Sequence, residues 1–435
     1  MIENRQFRLN RFDVVGAGSI AGVIEKCVGR EALRWYIAQV TDEEIVVEAT
    51  FYDGEIFEPA EGIESRPRYP GRSAVVSIVP TGVGCNLGGY AGDAAPATNL
   101  LAATVDYLVT NPNAVNASNF ISMDENVLYT EGLCIDLFMK GAVDLHVPYA
   151  NRLGLIVEKT SPENLDLVFN IVNTVRAVHG VEIVDVVVTP EPIGSHCVEN
   201  ASGAFVGTVD RPQVIFDACE KLLRQGVNAI AITTNIQDLP PEEYVKHFEG
   251  EYPNPLGGVE AIISHMIVNH FQVPAAHAPM INLKELDLVH SVVDARGAGE
   301  MASVSGLACT LIGLRRAPQI SPARSFRSAD IINAHNLLAV VCPASCLGGI
   351  PAIYASRHGV PIVGVAENST VLGISGDRIG IDNVIEVRSY AEAAGVLLAL
   401  KRGINLESIR RPLPTLRHRF GQGAKKMERR RVHFA

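Results

Sequence analysis

No apolar run in this chain reaches the roughly 18 residues that a membrane-spanning helix needs. The opening Met1-Ile2-Glu3-Asn4-Arg5-Gln6 is polar where a signal peptide is apolar, and its early acid argues against a transit peptide. No CxxC pair occurs, and the eight cysteines lie far apart. That pattern argues against a disulfide frame and for reduced thiols in a cytoplasmic protein. Nor is there a Gly-x-x-x-x-Gly-Lys-Ser/Thr loop, so a P-loop ATPase is unsupported. A Gly-x-Ser-x-Gly elbow is missing too, which argues against a serine hydrolase. HxH, HxxxH and HExxH spacings are all absent, so no metal is expected, and no cofactor either.

What is present fits a globular protein with a large core: 47% hydrophobic and 20% charged residues in 435. At roughly 150 residues per domain, two to three domains are expected. The net charge of −11 is uneven. From Leu406 onward there are nine Lys/Arg against two acids, while the remainder holds 28 basic and 46 acidic residues. A basic tail on an acidic body suits a partner surface, an anionic ligand or contact with another copy of the chain. Its only aromatics are Phe420 and Phe434, too few for stacking on bases, so nucleic-acid binding is not expected.

Residues 1–70 read as a small α+β unit, with a helix over Ser19–Val28 and paired strands over Arg34–Val40 and Glu44–Phe51. Gly16-Ala17-Gly18-Ser19-Ile20-Ala21-Gly22 approximates a dinucleotide fingerprint, but the strand before it, Phe12–Val15, is short. A helix-entry turn is expected there. Residues 71–405 alternate strand and helix. Strands are expected over Ala74–Val79, Leu153–Val157, Ile183–Val188, Ala229–Thr233, Ser291–Asp294, Leu337–Val341, Pro361–Val365 and Asn383–Val387. Helices are expected over Thr98–Val109, Pro162–Val178, Arg211–Gln225, Val259–His270, Ala298–Leu314 and Tyr390–Lys401. The expected fold is α/β: mostly parallel, doubly wound sheet covered by helices, divisible into two lobes, with the small N-terminal unit before it and the basic tail, 406–435, after it.

Two loops look like copies of one device. Val79-Pro80-Thr81-Gly82-Val83-Gly84-Cys85-Asn86-Leu87-Gly88-Gly89 and Val341-Cys342-Pro343-Ala344-Ser345-Cys346-Leu347-Gly348-Gly349 each follow a strand, turn at proline, present a cysteine and end in Leu-Gly-Gly. Such turns bind anions and lower a thiol pKa where they open a helix. Cys85 and Cys346 are therefore candidate catalytic groups, facing each other across a substrate or acting singly. Thr81, Gly82, Asn86, Gly88, Gly89, Asp93, Gly348 and Gly349 are candidate anion-binding positions.

Ligands of open α/β sheets bind beyond the carboxyl ends of strands. The strand ends here are polar, which adds Asn113, Asn116, Thr234, Asn235, Asp294, Glu300 and Asn368 as candidates. Arg296 offers a two-pronged grip on carboxylate or phosphate. His277, near a strand end, is the candidate general acid/base. His265 joins it only if the chain folds back at Val273-Pro274.

The segments Pro80–Gly84, Gly88–Ala94, Asn111–Ser118 and Leu128–Gly132, with Ala276-His277-Ala278-Pro279 and Asp294-Ala295-Arg296, resemble the family known as domain of unknown function 3326. The likeness spans roughly residues 72–400 and is associated with cyanobacteria and other bacteria; it implies no particular activity or catalytic residue. A looser likeness, Gly348–Ala352 through Gly359–Val363, is to nucleotide-sugar sites of two-lobed glycosyltransferases. The expected function is that of a cytoplasmic enzyme on a small carboxylate or phosphate. Its chemistry would be cofactor-independent, thiol or acid/base: isomerase or racemase, lyase, or hydrolase. The alternatives are a nucleotide-dependent transferase and a non-enzymatic ligand-sensing or assembly protein. No membrane partner is expected, and a homo-oligomer is compatible with the sequence.

Overall fold

The computed structural model describes residues 2–16, 19–29, 32–54, 72–111, 116–117, 120–237, 241–250, 253–280, 292–303, 305–323, 331–334 and 337–416. The chain begins with β1 (Ile2–Asn10), α1 (Arg11–Gly16), α2 (Ile20–Val28), β2 (Arg34–Val40) and β3 (Glu44–Tyr52). Next come β4 (Ala74–Ser77), α3 (Ala95–Ala102), β5 (Tyr107–Thr110), β6 (Asn116–Ala117), β7 (Phe120–Ile121) and β8 (Val127–Tyr129). Then follow α4 (Gly132–Lys140), β9 (Val143–His146), β10 (Leu153–Val157), α5 (Pro162–His179), β11 (Ile183–Val188), β12 (Ser195–Glu199) and β13 (Phe205–Val209). The middle continues with α6 (Pro212–Leu223), β14 (Ala229–Thr234), β15 (Ile236–Gln237), α7 (Pro241–Phe248), α8 (Gly257–Phe271) and β16 (Ala275–Pro279). After it run α9 (Ala298–Ala302), α10 (Leu307–Leu314), β17 (Gln319–Pro322), β18 (Ile331–Ile332) and β19 (Leu337–Pro343). The last elements are α11 (Ile350–Arg357), β20 (Ile362–Val365), α12 (Gly376–Ile379), β21 (Val384–Val387) and α13 (Tyr390–Lys401).

Two parallel sheets form the body. One has six strands in the order β21-β20-β19-β4-β5-β8, the other four in the order β11-β10-β14-β16. A three-stranded antiparallel sheet, β1-β3-β2, stands apart at the N-terminus. The inner strands β4, β5 and β20 of the six-stranded sheet are buried on both faces, which is why they read as continuous apolar runs, while the edge strand β21 is only half-buried. In β4, Val75 enters one core cluster while Ala74 and Val76 enter the other; in β5, Leu108 and Val109 divide the same way. Helices on each face complete the α/β architecture. Among the described residues no helix is long and apolar enough to cross a membrane.

Several boundaries differ from the sequence reading. The helix expected over Thr98–Val109 stops at Ala102, and its second half is β5. Asn126 ends it, donating to the carbonyls of Ala102 and Val105 at 2.8 and 3.1 Å. Ala298–Leu314 is broken into α9 and α10. Val292–Asp294 is not strand, and Ser291 lies outside the described residues. Phe12–Val15 belongs to helix α1, so the glycine run that follows has no strand before it. The two Leu-Gly-Gly loops do not sit on separate lobes, because β4 and β19 are neighbours in one sheet. Of the tail, residues 417–435 lie outside the described residues.

Strand order reverses between β4 and β19: the chain proceeds outward to β5 and β8 on one side and to β20 and β21 on the other. Such a reversal opens a crevice at the carboxyl ends of the two central strands. Helix α8 runs beside it, buried on nearly every side. Its entry depends on a close approach, since a Cβ on Gly258 would stand 2.1 Å from the Phe205 carbonyl oxygen. Backbone cannot yield there as a flexible side chain would. Gly258→Ala is therefore expected to cost about 3 kcal/mol, the upper end of ordinary overpacking, read as a lower thermal unfolding midpoint; an unchanged midpoint would refute the packing argument.

Candidate functional site

A cavity of about 170 Å³ occupies the crevice. The end of β4 supplies Ile78, Val79, Pro80 and Thr81; the β19 side supplies Val340, Cys342 and Cys346. Strand β2 of the N-terminal sheet closes it with Arg34, Trp35, Tyr36 and Ile37. The remaining wall is polar. Glu131 and Asp136 come from the start of α4, Glu260, Ser264 and His265 from α8, and His277 from β16.

The chain does fold back after α8, so His265 and His277 line one cavity. Each is bound through Nδ1 to a buried glutamate: His265 to Glu131 and, at 3.3 Å, His277 to Glu260. Glu131 is the N-cap of α4. Its Oε2 accepts from the backbone N–H of Leu133 and Cys134 at 2.8 and 3.2 Å, which favours the carboxylate and leaves Oε1 for His265. Gly132 makes room for the ring, because a Cβ there would lie 2.9 Å from His265 Cε1. The Ser264 hydroxyl braces Glu131 from the side at 3.4 Å.

The two histidines differ at Nε2. That of His277 is 2.8 Å from the Thr234 hydroxyl, which is wholly buried. With Nδ1 donating to Glu260, Nε2 of a neutral ring accepts the Thr234 proton. Both nitrogens of His277 are thus engaged, and its role is to hold Glu260. For His265, no hydrogen bond to Nε2 is formed among the described residues. A carboxylate on one ring nitrogen and an open position on the other is the arrangement of a general base.

Arg34 supplies the cavity's cation. Its guanidinium makes no ion pair or hydrogen bond among the described residues; its carbon stands 5.4 Å from the centroid of the Tyr36 ring. Glu48 is near enough to feel Arg34, but Gln6 and Asn200 hold its carboxylate, at 3.0 and 3.1 Å. Burial pushes the Asp136 carboxyl up to about 6, against the pull of His265, Arg34 and Lys140. At neutral pH it is ionised. Among the described residues no group of three or more His, Cys, Asp or Glu is placed to hold a metal ion.

The thiol expectation needs correction. Cys346 lines this cavity, whereas Cys85 lines a second one of about 80 Å³. Burial pushes the Cys346 thiol up to about 12, with Arg34 opposing, and raises the Cys85 thiol well above its ordinary range. Cys85 donates to the Pro80 carbonyl at 3.2 Å and lies ten residues before helix α3, too far to feel its N-terminus. Neither cysteine is a thiolate at neutral pH.

Other candidates have partners within the protein, and Gly82, Gly88, Gly89 and Glu300 line the second cavity. Arg296 is paired with Asp294 at 2.9 and 3.1 Å and lies over the Tyr90 ring. Glu300 accepts from the Ala91 N–H at 3.0 Å. Asn86 donates to Ser369 and Glu367, tying the first loop to the segment after β20. Asn368, fully buried, clamps the backbone of Leu87 and donates to the Tyr390 hydroxyl at 2.8 Å. Asn116 accepts from Ser122 and Met123, and Asn235 donates its backbone N–H to Glu158. Gly88 and Gly89 pack against Val79 and the Cys85 carbonyl. Gly82 holds the Phe205 N–H at 3.0 Å from its carbonyl, and Gly348 does the same for Ile37. Gly348 and Gly349 line the main cavity; Thr81 and His277 line both cavities. Asn113 lies outside the described residues. Sequence reasoning missed Arg34, Glu131 and Asp136. Glu131 carried a signal, as a polar residue just after a strand and before a helix.

The family described as "Protein of unknown function (DUF3326)" matches residues 74–410. The chain belongs to the DUF3326 family. An uncharacterized lipoprotein of Synechococcus sp. is 35% identical over 338 residues, 77% of this chain and 93% of that relative. No solved structure matches the chain. Within this DUF3326 chain, Glu131, Asp136, Glu260, His265 and His277 fall inside the matched region, and Arg34 lies before it.

Asp93, beside the second cavity's Tyr90, gives a pH signature. Burial pushes its carboxyl up to about 7, although the Gly88 and Tyr90 backbone N–H groups pull it down. In the unfolded chain an aspartate titrates near ~3.9. Between about 4 and 7 the folded state holds a proton that the unfolded state has lost, so Asp93 makes stability fall as pH rises through that window. Asp93→Asn removes the titration. Its unfolding midpoint should gain on the wild type's as pH rises to about 7 and then run parallel; a constant difference would contradict the assignment.

Proposed function

We propose that this DUF3326 protein binds a small anionic molecule, a carboxylate or phosphate, on Arg34 and moves a proton on it by cofactor-independent acid/base chemistry. The observation that carries the reading is the Glu131–His265 pair, with Nε2 open, among the described residues, in the same cavity as a guanidinium that has no ion-pair partner among them. His265 is the base, oriented by Glu131. Glu260, held by His277 and set in the first turn of α8, is the second proton-transfer group. Arg34 neutralises the negative charge that builds on an adjacent carboxylate when a carbon loses its proton. Isomerisation, racemisation and elimination all begin with that step.

The test is wash-in of solvent deuterium, followed by NMR, for small carboxylates incubated with the protein in D2O. Wild type should exchange a carbon-bound proton next to the carboxylate. His265→Ala, folded by its unfolding midpoint, should be slower by about 100-fold or more. Undiminished exchange in the variant would remove His265 from the mechanism. No exchange with any carboxylate would move the reading to ligand binding without turnover.

The eight free thiols support a reducing, cytoplasmic compartment. The relative's name, lipoprotein, points the other way, to a membrane-tethered location. Cell fractionation is expected to leave the protein in the cytoplasmic fraction; recovery with membranes, released only by detergent, would overturn this.

A further inference from the structure

We infer that the cavity's ligand is a zwitterion, a small amino acid with an apolar side chain, its carboxylate on Arg34 and its ammonium on Asp136. The inference rests on the anion reading above and adds a second charge to it. An anion site needs a cation, yet this cavity also presents carboxylates. Two of them, Glu131 and Glu260, are hydrogen-bonded by His265 and His277. The third is not. Asp136 lines the cavity with no hydrogen bond or ion pair among the described residues. Arg34 lines the same cavity and is likewise unpartnered, and no ion pair forms between the two.

An unpaired charge in a recessed site is costly unless something completes it. Here, among the described residues, one group of each sign is left without an ion-pair partner, on different elements, β2 and α4. A carboxylate alone would satisfy Arg34 and bring its charge toward Asp136. An amine alone would do the converse. A molecule with both groups satisfies both and adds no net charge. The same cavity is lined by the apolar side chains of Ile37, Val83, Ile135, Val340 and Leu372. That surface suits an aliphatic side chain better than a second charged or phosphorylated group.

The experiment is titration calorimetry on the full chain with glycine and both enantiomers of the other nineteen common amino acids. Beside each run its deaminated acid and its decarboxylated amine, for example leucine, 4-methylpentanoate and 3-methylbutylamine. The expected result is at least one amino acid bound roughly 30-fold more tightly than either single-charge analogue, since truncating one member of a desolvated charge pair costs about 2 kcal/mol or more. Asp136→Asn should abolish that amino acid's advantage over its acid, and should tighten the acid's own binding by removing the negative charge it is brought toward. Arg34→Gln should bring it down to the amine's. Acids that bind as tightly as their amino acids would overturn the zwitterion and leave the anion reading standing. No binding by any compound at millimolar concentration would overturn both. Unfolding midpoints of the two variants within a few degrees of wild type separate lost contact from lost fold.

Discussion

Helix α8 crosses the interior with Glu260, Ser264 and His265 on it, and buried polar groups must be satisfied where they stand. The protein meets this demand from two directions. Glu131, at the tip of α4, reaches His265 and Ser264, and His277, on β16, reaches Glu260. These contacts tie the six-stranded sheet, through the β8–α4 connection, to the four-stranded sheet that ends in β16. The same contacts line the cavity between them. Structural necessity and chemical opportunity therefore coincide: the groups that keep the helix in the core also leave Nε2 of one histidine open.

Burial separates the thiols from the imidazole–carboxylate pairs. A thiolate needs a neighbouring cation or a helix N-terminus to survive in a low-dielectric interior. Cys85 has neither, and for Cys346 the influence of Arg34 does not offset burial. A carboxylate paired with a histidine carries its own compensation. Glu131 is also satisfied by the backbone N–H groups of α4, which donate to its second oxygen.

The Leu-Gly-Gly loops show how a correct location can carry a wrong role. Both flank the point where strand order reverses, and both touch the cavities. Yet their glycines serve close packing, and burial keeps their cysteines protonated. Asn86 and Asn368 are polar at strand ends because they fasten one loop to the next. Arg296 is consumed by Asp294 two residues away. A residue type suited to binding is equally suited to bracing, and sequence alone does not reveal which partner arrives first.

Periodicity and composition by themselves determined the α/β class, most strands and helices, the antiparallel N-terminal unit and the polar character of the strand ends. Those features follow from local rules: runs of Val and Ile buried on both faces, N-capping serines, glycines where helices stop. Tertiary structure alone decided which polar residues meet. Arg34 and His277 are far apart in the chain and reach one cavity only because β2 closes over the crevice between the sheets. His265 faces Glu131 across 134 positions of sequence. Long-range pairing of buried charges leaves no periodic trace, because it is set by how layers stack and not by how a segment folds.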